Sequence, residues 1–309
     1  MFWGMRITWI TTLVILVALA FLPFLTTDQF VLSAMITVLI FALFGASWDL
    51  SYGVAGLLNL GPGVSFGVGG FALTYLAKSH YPPVVAVFFA AVIAASTGIL
   101  IWIPSIRMSG AYLGIVTLAI LLLFSDIALI WTGEEGVPIG IHYFNATLQQ
   151  SYYYALILSG VGMFALYALS GTRFGLQARA MKDDEAAAKS ISINIPIYKL
   201  ASLIVSSFFL GLAGAYYTLY ISNVNYTIFS INTNFLGVVI SILGGSGTIL
   251  GSIIGSLIVQ LPSQYLVSYG SYSIILYGAT MILVMLFLRG GILQGVEYLA
   301  SKLNRNKSK

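Results

Sequence analysis

Hydrophobic residues run along this chain in long stretches, and polar positions are largely confined to the gaps between them. The stretches fall at Ile7 to Leu25, Phe30 to Trp48, Val54 to Leu76, Val84 to Ile103, Ala111 to Trp131, Tyr152 to Leu169, Leu200 to Ile221, Phe235 to Leu261 and Tyr272 to Leu288. A hydrocarbon core about 30 Å thick takes about 20 apolar residues per helical crossing, so eight of these nine runs each fit a single span. The exception, Phe235 to Leu261, is cut by Gly244-Gly245-Ser246-Gly247 into pieces that would rise only about 13 and 20 Å. Neither piece spans, so a hairpin that enters the membrane and returns is expected there. The pattern predicts an all-α, polytopic transmembrane helical bundle: eight spans plus a broken, re-entrant hairpin, about ten elements in all. No composition shift marks off a second domain, so residues 1–309 read as one membrane domain.

Charge supports the same segments. Only 7% of the residues are charged, against about 25% in soluble domains, too few for a water-exposed surface of normal polarity. With the amino terminus in the cytoplasm and the hairpin returning to its own side, twelve of the thirteen Lys and Arg residues fall inside, and Lys78 alone falls outside. That bias is the orientation signal of membrane proteins, so the net charge of +4 reads as topology rather than as a nucleic-acid footprint. A multi-pass protein of the cell membrane with both termini cytoplasmic is expected. The first run lacks a small-residue cleavage site before Asp28 and reads as a retained span. Two sets of five elements would have opposite orientation, each with one glycine-broken member, at 53–70 and 237–255, which suggests inverted repeats with the binding region between them.

The breaks are the first candidates for function. Around Asn59, Gly61, Pro62 and Gly63, and on through Gly67, Gly69 and Gly70, proline removes a backbone donor and glycine adds little side-chain volume, so a regular helix is not expected. Irregular backbone at membrane depth is tolerated where protein or a water-filled cavity supplies partners. Lining a solute path and close packing through small residues both account for the pattern, here and at Gly244, Gly245 and Gly247. Gly251 and Gly255, at small-xxx-small spacing, read as packing residues. Asp126 is the clearest ionisable side chain within a span, where a charge costs about 2.5–3.5 kcal/mol at the bilayer centre. It serves either the substrate path or a bond to a neighbouring helix. Asp49, at the end of a run, reads as interfacial.

Much enzyme chemistry is excluded. The chain has no cysteine, hence no disulfide, thiol nucleophile or cysteine-ligated metal. His80 and His142 fall in outer loops without an acid-base constellation. No Gly-x-x-x-x-Gly-Lys-Ser/Thr occurs, so ATP is not bound here through a P-loop, and no cofactor is expected in this chain.

The longest loop on the cytoplasmic side, residues 171–199, holds five basic and three acidic residues. Phe174, Ala178 and Met181 share one helical face and Glu185 precedes Lys189 by one turn, which predicts a short amphipathic helix. The order Arg173-Phe174-Gly175, Arg179-Ala180, Asp183-Asp184-Glu185-Ala186-Ala187-Ala188, Ile193-Asn194 and Tyr198-Lys199 resembles the loop of the branched-chain amino acid ABC permeases, the Liv-type membrane subunits, and their second type more closely than their first. Phe208 to Ala215, Val239 to Gly255, Arg289 to Leu293, Leu57 to Gly61 with Gly67, and Arg107 to Tyr112 with Val116 to Leu118 are similar to the same family, so the resemblance covers about residues 45–293. It implies a subunit without its own ATPase site, importing branched-chain or other small amino acids by alternating access; permeases for urea and short amides are relatives. It further implies a similar second permease, two P-loop ATPase subunits and an extracytoplasmic solute-binding protein as partners. The loop would hold a coupling helix whose Arg179, Asp183, Asp184, Glu185 and Ala187 contact the ATPase. Three positions depart from the pattern: Ser192 stands where the family has glycine, Thr132 to Gly136 looks like a shortened Thr-Gly-rich segment, and Leu122 replaces an acid. An ion-coupled transporter acting alone is the rival, but it needs more buried ionisable groups than Asp126.

Overall fold

A computed structural model describes residues 18–23, 28–139, 143–249 and 251–267. Residues 18–23 are helical and are followed by α1 (Gln29–Asp49), continued by a π turn over Leu50–Val54. Then come α2 (Gly63–Lys78), α3 (Pro83–Ser105), α4 (Gly110–Thr132), the two-residue β1 (Val137–Pro138) and α5 (Leu148–Ser170). The second half holds α6 (Arg173–Asp183), α7 (Glu185–Ser190), α8 (Ile195–Ile221), β2 (Asn223–Val224), a 3-10 turn at Tyr226–Phe229, α9 (Ile231–Gly245) and α10 (Gly251–Val267).

The ends of these helices are written locally. Asp28 accepts from the amide of Phe30 at 2.9 Å to start α1, and Thr147 with Gln150 forms a reciprocal capping box at the start of α5, each satisfying donors a helix terminus leaves open. Proline at the first turn opens α3 and α8, where its missing donor costs nothing. Among the described residues five helices are long and apolar enough to cross a membrane: Gln29–Val54, Pro83–Ser105, Gly110–Thr132, Leu148–Ser170 and Ile195–Ile221.

Helix α1 is apolar on every face, which suits either lipid or the interior of a bundle. It runs through the centre, buried from Val38 to Asp49, with α5, α8, α9 and α10 packed round it. Beside it α2, α3 and α8 form a tight three-helix body. Gly69 lies against the backbone of Gly211, Gly98 against that of Ile204, and Gly214 against that of Phe66, so a methyl group at any of the three would collide. Such close approach gives full van der Waals contact between helices that lipid alone would not drive together. At the centre of this body the Ser65 hydroxyl bonds Thr97 at 2.6 Å and Ser207 at 3.0 Å.

Segments expected on the same side of the membrane do meet. β1 pairs antiparallel with β2, Val137 opposite Val224, and the Tyr143 hydroxyl donates to Tyr81 O, joining loops assigned to the outer side. At the opposite end the Trp102 indole donates to Pro196 O at 2.9 Å and Lys199 to Ser105 O at 3.2 Å.

The structure corrects several expectations. Val54 to Leu76 is not one continuous helix: its helix starts only at Gly63 and has sixteen residues, about 24 Å, because Pro62 and the irregular segment before it replace the first turns. Conversely, that helix is regular through Gly67, Gly69 and Gly70, which serve packing. The hairpin arms are longer than expected, fifteen and seventeen residues, because Ser230 caps α9 early by accepting from the Thr233 amide and α10 continues past Pro262. The expected amphipathic loop helix is two helices, α6 and α7, parted at Asp184, whose backbone is extended and whose side chain caps the second. The run Tyr272 to Leu288, the tail Arg289 to Leu293, His142 and most of Ile7 to Leu25 lie outside the described residues.

Ser192 resolves its own departure from the family pattern. It adopts φ 65°, with its amide bonded to Lys189 O and that of Ile193 to Ala188 O, the left-handed closure of a helix end that glycine usually supplies. Ser192→Gly is expected to stabilise the loop by about 1 kcal/mol, since a left-handed conformation costs an L residue about that much. A thermal melt in detergent checks this, and a lowered midpoint would contradict it.

Candidate functional site

The first break follows α1. Its last turn widens, with Ala55 N bonded to Leu50 O and Leu57 N to Ser51 O, and residues 57–62 leave the helix altogether. Every amide or carbonyl so released inside a bundle needs another partner. Side chains from three other places supply them. The Trp48 indole donates to Asn59 O at 2.5 Å, the Gly61 amide donates to Asn59 Oδ1 at 2.9 Å, and Thr117 Oγ1 on α4 accepts from Leu60 N at 2.9 Å. Asn234 on α9 works at both ends, its Oδ1 accepting from Gly63 N and its Nδ2 donating to Leu60 O, both at 2.8 Å. Asn234 is fully buried, and Asn59 is 2% exposed.

The second break is the turn between α9 and α10. Gly245 and Gly247 take φ 107° and 86°, and Ile249 is held at φ 41°, a backbone that glycine adopts freely and isoleucine does not. Asp49, the last residue of α1, holds it. Its carboxylate accepts from Gly247 N at 2.7 and 2.9 Å and from Ile249 N at 2.8 Å, with the Ser241 hydroxyl at 3.3 Å. Asp49 is 1% exposed, so its assignment as an interfacial residue is wrong: it is an internal cap. Both breaks are therefore capped from α1 and α9: Asp49, the last residue of α1, holds the turn after α9, and Asn234, in the first turn of α9, holds the segment before α2.

The 171–199 loop grips this centre with two lysines. Lys182 Nζ on α6 donates to Gly53 O at 2.6 Å, a carbonyl that the widened turn leaves without its helical partner, and it is also a cation acting on Asp49. Lys199, 5% exposed, pairs with Glu185 Oε1 at 2.8 Å and reaches the end of α3 at Ser105 O. Glu185 thus turns to Lys199 and not to Lys189, because α7 docks against the start of α8.

The expected path residues fall into three places. Asn59, Gly61, Pro62 and Gly63 come together, packed against α4 and Asn234. Gly244 lies against the backbone of Gly251, and Gly255 against Ile240 O, so both are packing positions, while Gly245 and Gly247 form the turn. Asp126 joins neither group. It is exposed on α4, on an apolar face with Leu122, Leu123, Ile127 and Ile130. Of the expected coupling residues, Asp183, Asp184, Glu185 and Ala187 are exposed and Arg179 is half-buried. Asp184 spends its carboxylate on the amides of Ala186 and Ala187, at 2.9 and 3.0 Å. Sequence reasoning missed Asp49, Thr117, Lys182, Asn234 and the exposed Ile191. A lone acid ending an apolar run and a lone amide near the start of one were the available signals. A cavity of about 350 Å³ between α2, α3 and α4 is lined by Phe71, Tyr75, Phe124, Trp131 and other apolar side chains, away from both breaks.

Spans interrupted within the bundle, re-paired by buried polar side chains and clasped by a structured loop at one end, define a multi-pass helical membrane protein built as a permease. A family model described as branched-chain amino acid transport system / permease component matches residues 30–285, and the chain belongs to that family, a family of ABC transporter permeases. It is 25% identical to the high-affinity branched-chain amino acid transport system permease protein LivM of Escherichia coli (strain K12), over 88% of this chain and 71% of that protein. Over 46% of its length it is 30% identical to the nucleoside ABC transporter permease protein NupC of Lactococcus lactis subsp. cremoris, covering 49% of it, and 28% identical to the autoinducer 2 import system permease protein LsrC of Salmonella choleraesuis, covering 44% of it. No solved structure matches the chain.

Replacing a cap strands the donors it satisfied. Asp49→Ala leaves two buried amides open and is expected to cost about 2–6 kcal/mol, at about 1–3 for each. Asn234→Leu is expected to cost less, about 1–3 kcal/mol in all, as bonds between membrane helices measure weaker, and Asn234→Asp more than Asn234→Leu, because a fully buried carboxyl oxygen would face Leu60 O where Nδ2 now donates. Thermal midpoints of the three purified variants check this order.

Proposed function

We propose that this chain is one of two membrane permease subunits of an ATP-driven importer carrying branched-chain or other small amino acids. The observation that carries the reading is the construction of the 171–199 loop. Its inner side is held to the spans by Lys182, which bonds Gly53 O, and by Glu185, which pairs with Lys199 of α8, while its outer side shows Asp183, Ala187 and the strongly exposed Ile191. An apolar residue displayed among charges on a loop outside the spans marks an interaction surface. A rigid two-helix loop with one face committed to the bundle and the other open suits the transfer of motion from a separate motor by rigid-body movement.

The chain lacks a P-loop pattern, so ATP would be bound by two ATPase subunits seated on this loop in the cytoplasm, and both termini would lie on that side. A solute-binding protein would deliver cargo to the opposite end, where β1 and β2 tie the loops together. A second, similar permease would cover α4. Its apolar face carries Asp126 outward, which lipid tolerates poorly, so Asp126 would face the partner or the path between the two chains. Exposure of the Asn59 to Gly63 and Gly245 to Gly247 backbones to that path would then alternate as the ATPases close and reset. The branched-chain assignment leans on the likeness to LivM along most of the chain; the half-length likenesses to nucleoside and autoinducer 2 permeases mark how far cargo varies on this scaffold.

Reconstitution tests the reading. The permease pair alone is expected to move no amino acid, and the pair with ATPases, binding protein and ATP to accumulate leucine or valine. Uptake driven by a proton or sodium gradient without an ATPase would contradict it; accumulation of urea or an amide instead would correct the cargo only. Ile191→Glu is expected to weaken ATPase association at least tenfold while the permease still inserts. It is a cleaner probe than Glu185→Lys, which would also unpair buried Lys199.

A further inference from the structure

The loop that would receive the motor's motion touches the hairpin turn through a short chain of contacts. We propose that Lys182 and Asp49 form the mechanical link by which the 171–199 loop moves the turn at 246–249, so that Lys182 is a positioning residue for transport; this rests on the reading above.

The contacts run without a gap. The aliphatic stem of Lys182 lies over Gly56, where a Cβ would come within 2.8 Å of Lys182 Cγ, and Gly56 sits at φ 73° in the widened turn. The ammonium of Lys182 bonds Gly53 O. Gly53 in turn lies so close to the Asp49 carboxylate and the Gly247 amide that a methyl group there would collide with both. Asp49 then holds Gly247 and Ile249 through their amides. Displacement of α6 is therefore passed along the Lys182 side chain to Gly53, and through it to the turn.

The turn is where the hairpin leaves helical geometry: Gly245 before it and Gly247 and Ile249 within it have positive φ, and the Asp49 carboxylate bridges it to α1. The α2–α3–α8 body offers no such joint: it is stitched by backbone contact at Gly69, Gly98 and Gly214 and by the Ser65, Thr97 and Ser207 hydroxyls. The second grip is the pair between Glu185 on α7 and Lys199 on α8, which also bonds Ser105 O of α3, and it ties the loop to that body. One lysine anchors the loop and the other transmits.

The test uses the reconstituted complex. Lys182→Met keeps the stem on Gly56 but removes the donor to Gly53 O, and Lys182→Arg restores a donor. Solute moved per ATP hydrolysed is expected to fall at least tenfold in Lys182→Met and to recover to within about threefold of wild type in Lys182→Arg. Since the chain has no cysteine, spin labels at Ser246→Cys on the turn and Ser96→Cys on α3, with cysteine-free partners, report the turn against the body. Their separation is expected to change when ATP binds and to stay fixed in Lys182→Met. Lys182→Gln, too short to reach Gly53 O, carries the same expectation should the methionine variant fail to insert. A ratio within twofold of wild type in Lys182→Met, or a label separation that still changes, overturns the link while leaving the transport reading standing. A wild-type complex that hydrolyses ATP without moving solute, or never assembles, overturns both.

Discussion

A helix interrupted inside a membrane releases amides and carbonyls that lipid cannot satisfy, and this protein is organised round the few side chains that take them up. Asp49 accepts the amides of Gly247 and Ile249; Asn234 bridges Leu60 O and Gly63 N; Thr117 and Trp48 complete the first break. Unmade, each such bond leaves a buried polar group at about 1–3 kcal/mol, so neither interruption would persist alone. Asp49 ties the end of α1 to the turn after α9, and Asn234 ties the start of α9 to the segment before α2, so the hairpin is fastened to the first break at both ends of α9.

Around this unit the remaining helices divide the work. The α2–α3–α8 body owes its rigidity to small residues that bring backbones into contact, a geometry in which added volume is punished. Helix α4 is different: its larger part is exposed, and it carries Asp126 on an apolar surface. The loop of α6 and α7 bridges the two regimes, with Lys199 on the rigid body and Lys182 on the break.

Much of the architecture was legible in the sequence because membrane helices announce themselves by length and apolarity: the five long spans begin and end close to the runs that predicted them. Glycine and proline located both breaks, and the Lys/Arg asymmetry grouped the loops that later proved to touch. What stayed hidden was which side chains answer the broken backbone. Asp49 and Asn234 lie at the margins of apolar runs, where one-dimensional reading takes them for interfacial residues, and their partners are 198 and 171 positions away. Glycine was ambiguous for a related reason. Gly67, Gly69 and Gly70 look like Gly61 and Gly63 in sequence, yet the first three pack in a regular helix and the last two flank the break; only Pro62 separates the cases. Glu185 illustrates a third limit: its helical spacing from Lys189 was favourable, but tertiary docking gave it buried Lys199 instead.

The central claim is that both interruptions are closed, internally paired structures. Amide hydrogen exchange of the purified permease, read at Leu60, Gly61, Gly63, Gly247 and Ile249, tests it most directly. The account predicts protection approaching that of the α8 core for these non-helical amides, lost at Gly247 and Ile249 when Asp49 is replaced by alanine. Exchange as fast as at the exposed loop residues Ser79 and His80 would show the breaks to be open, and would contradict it.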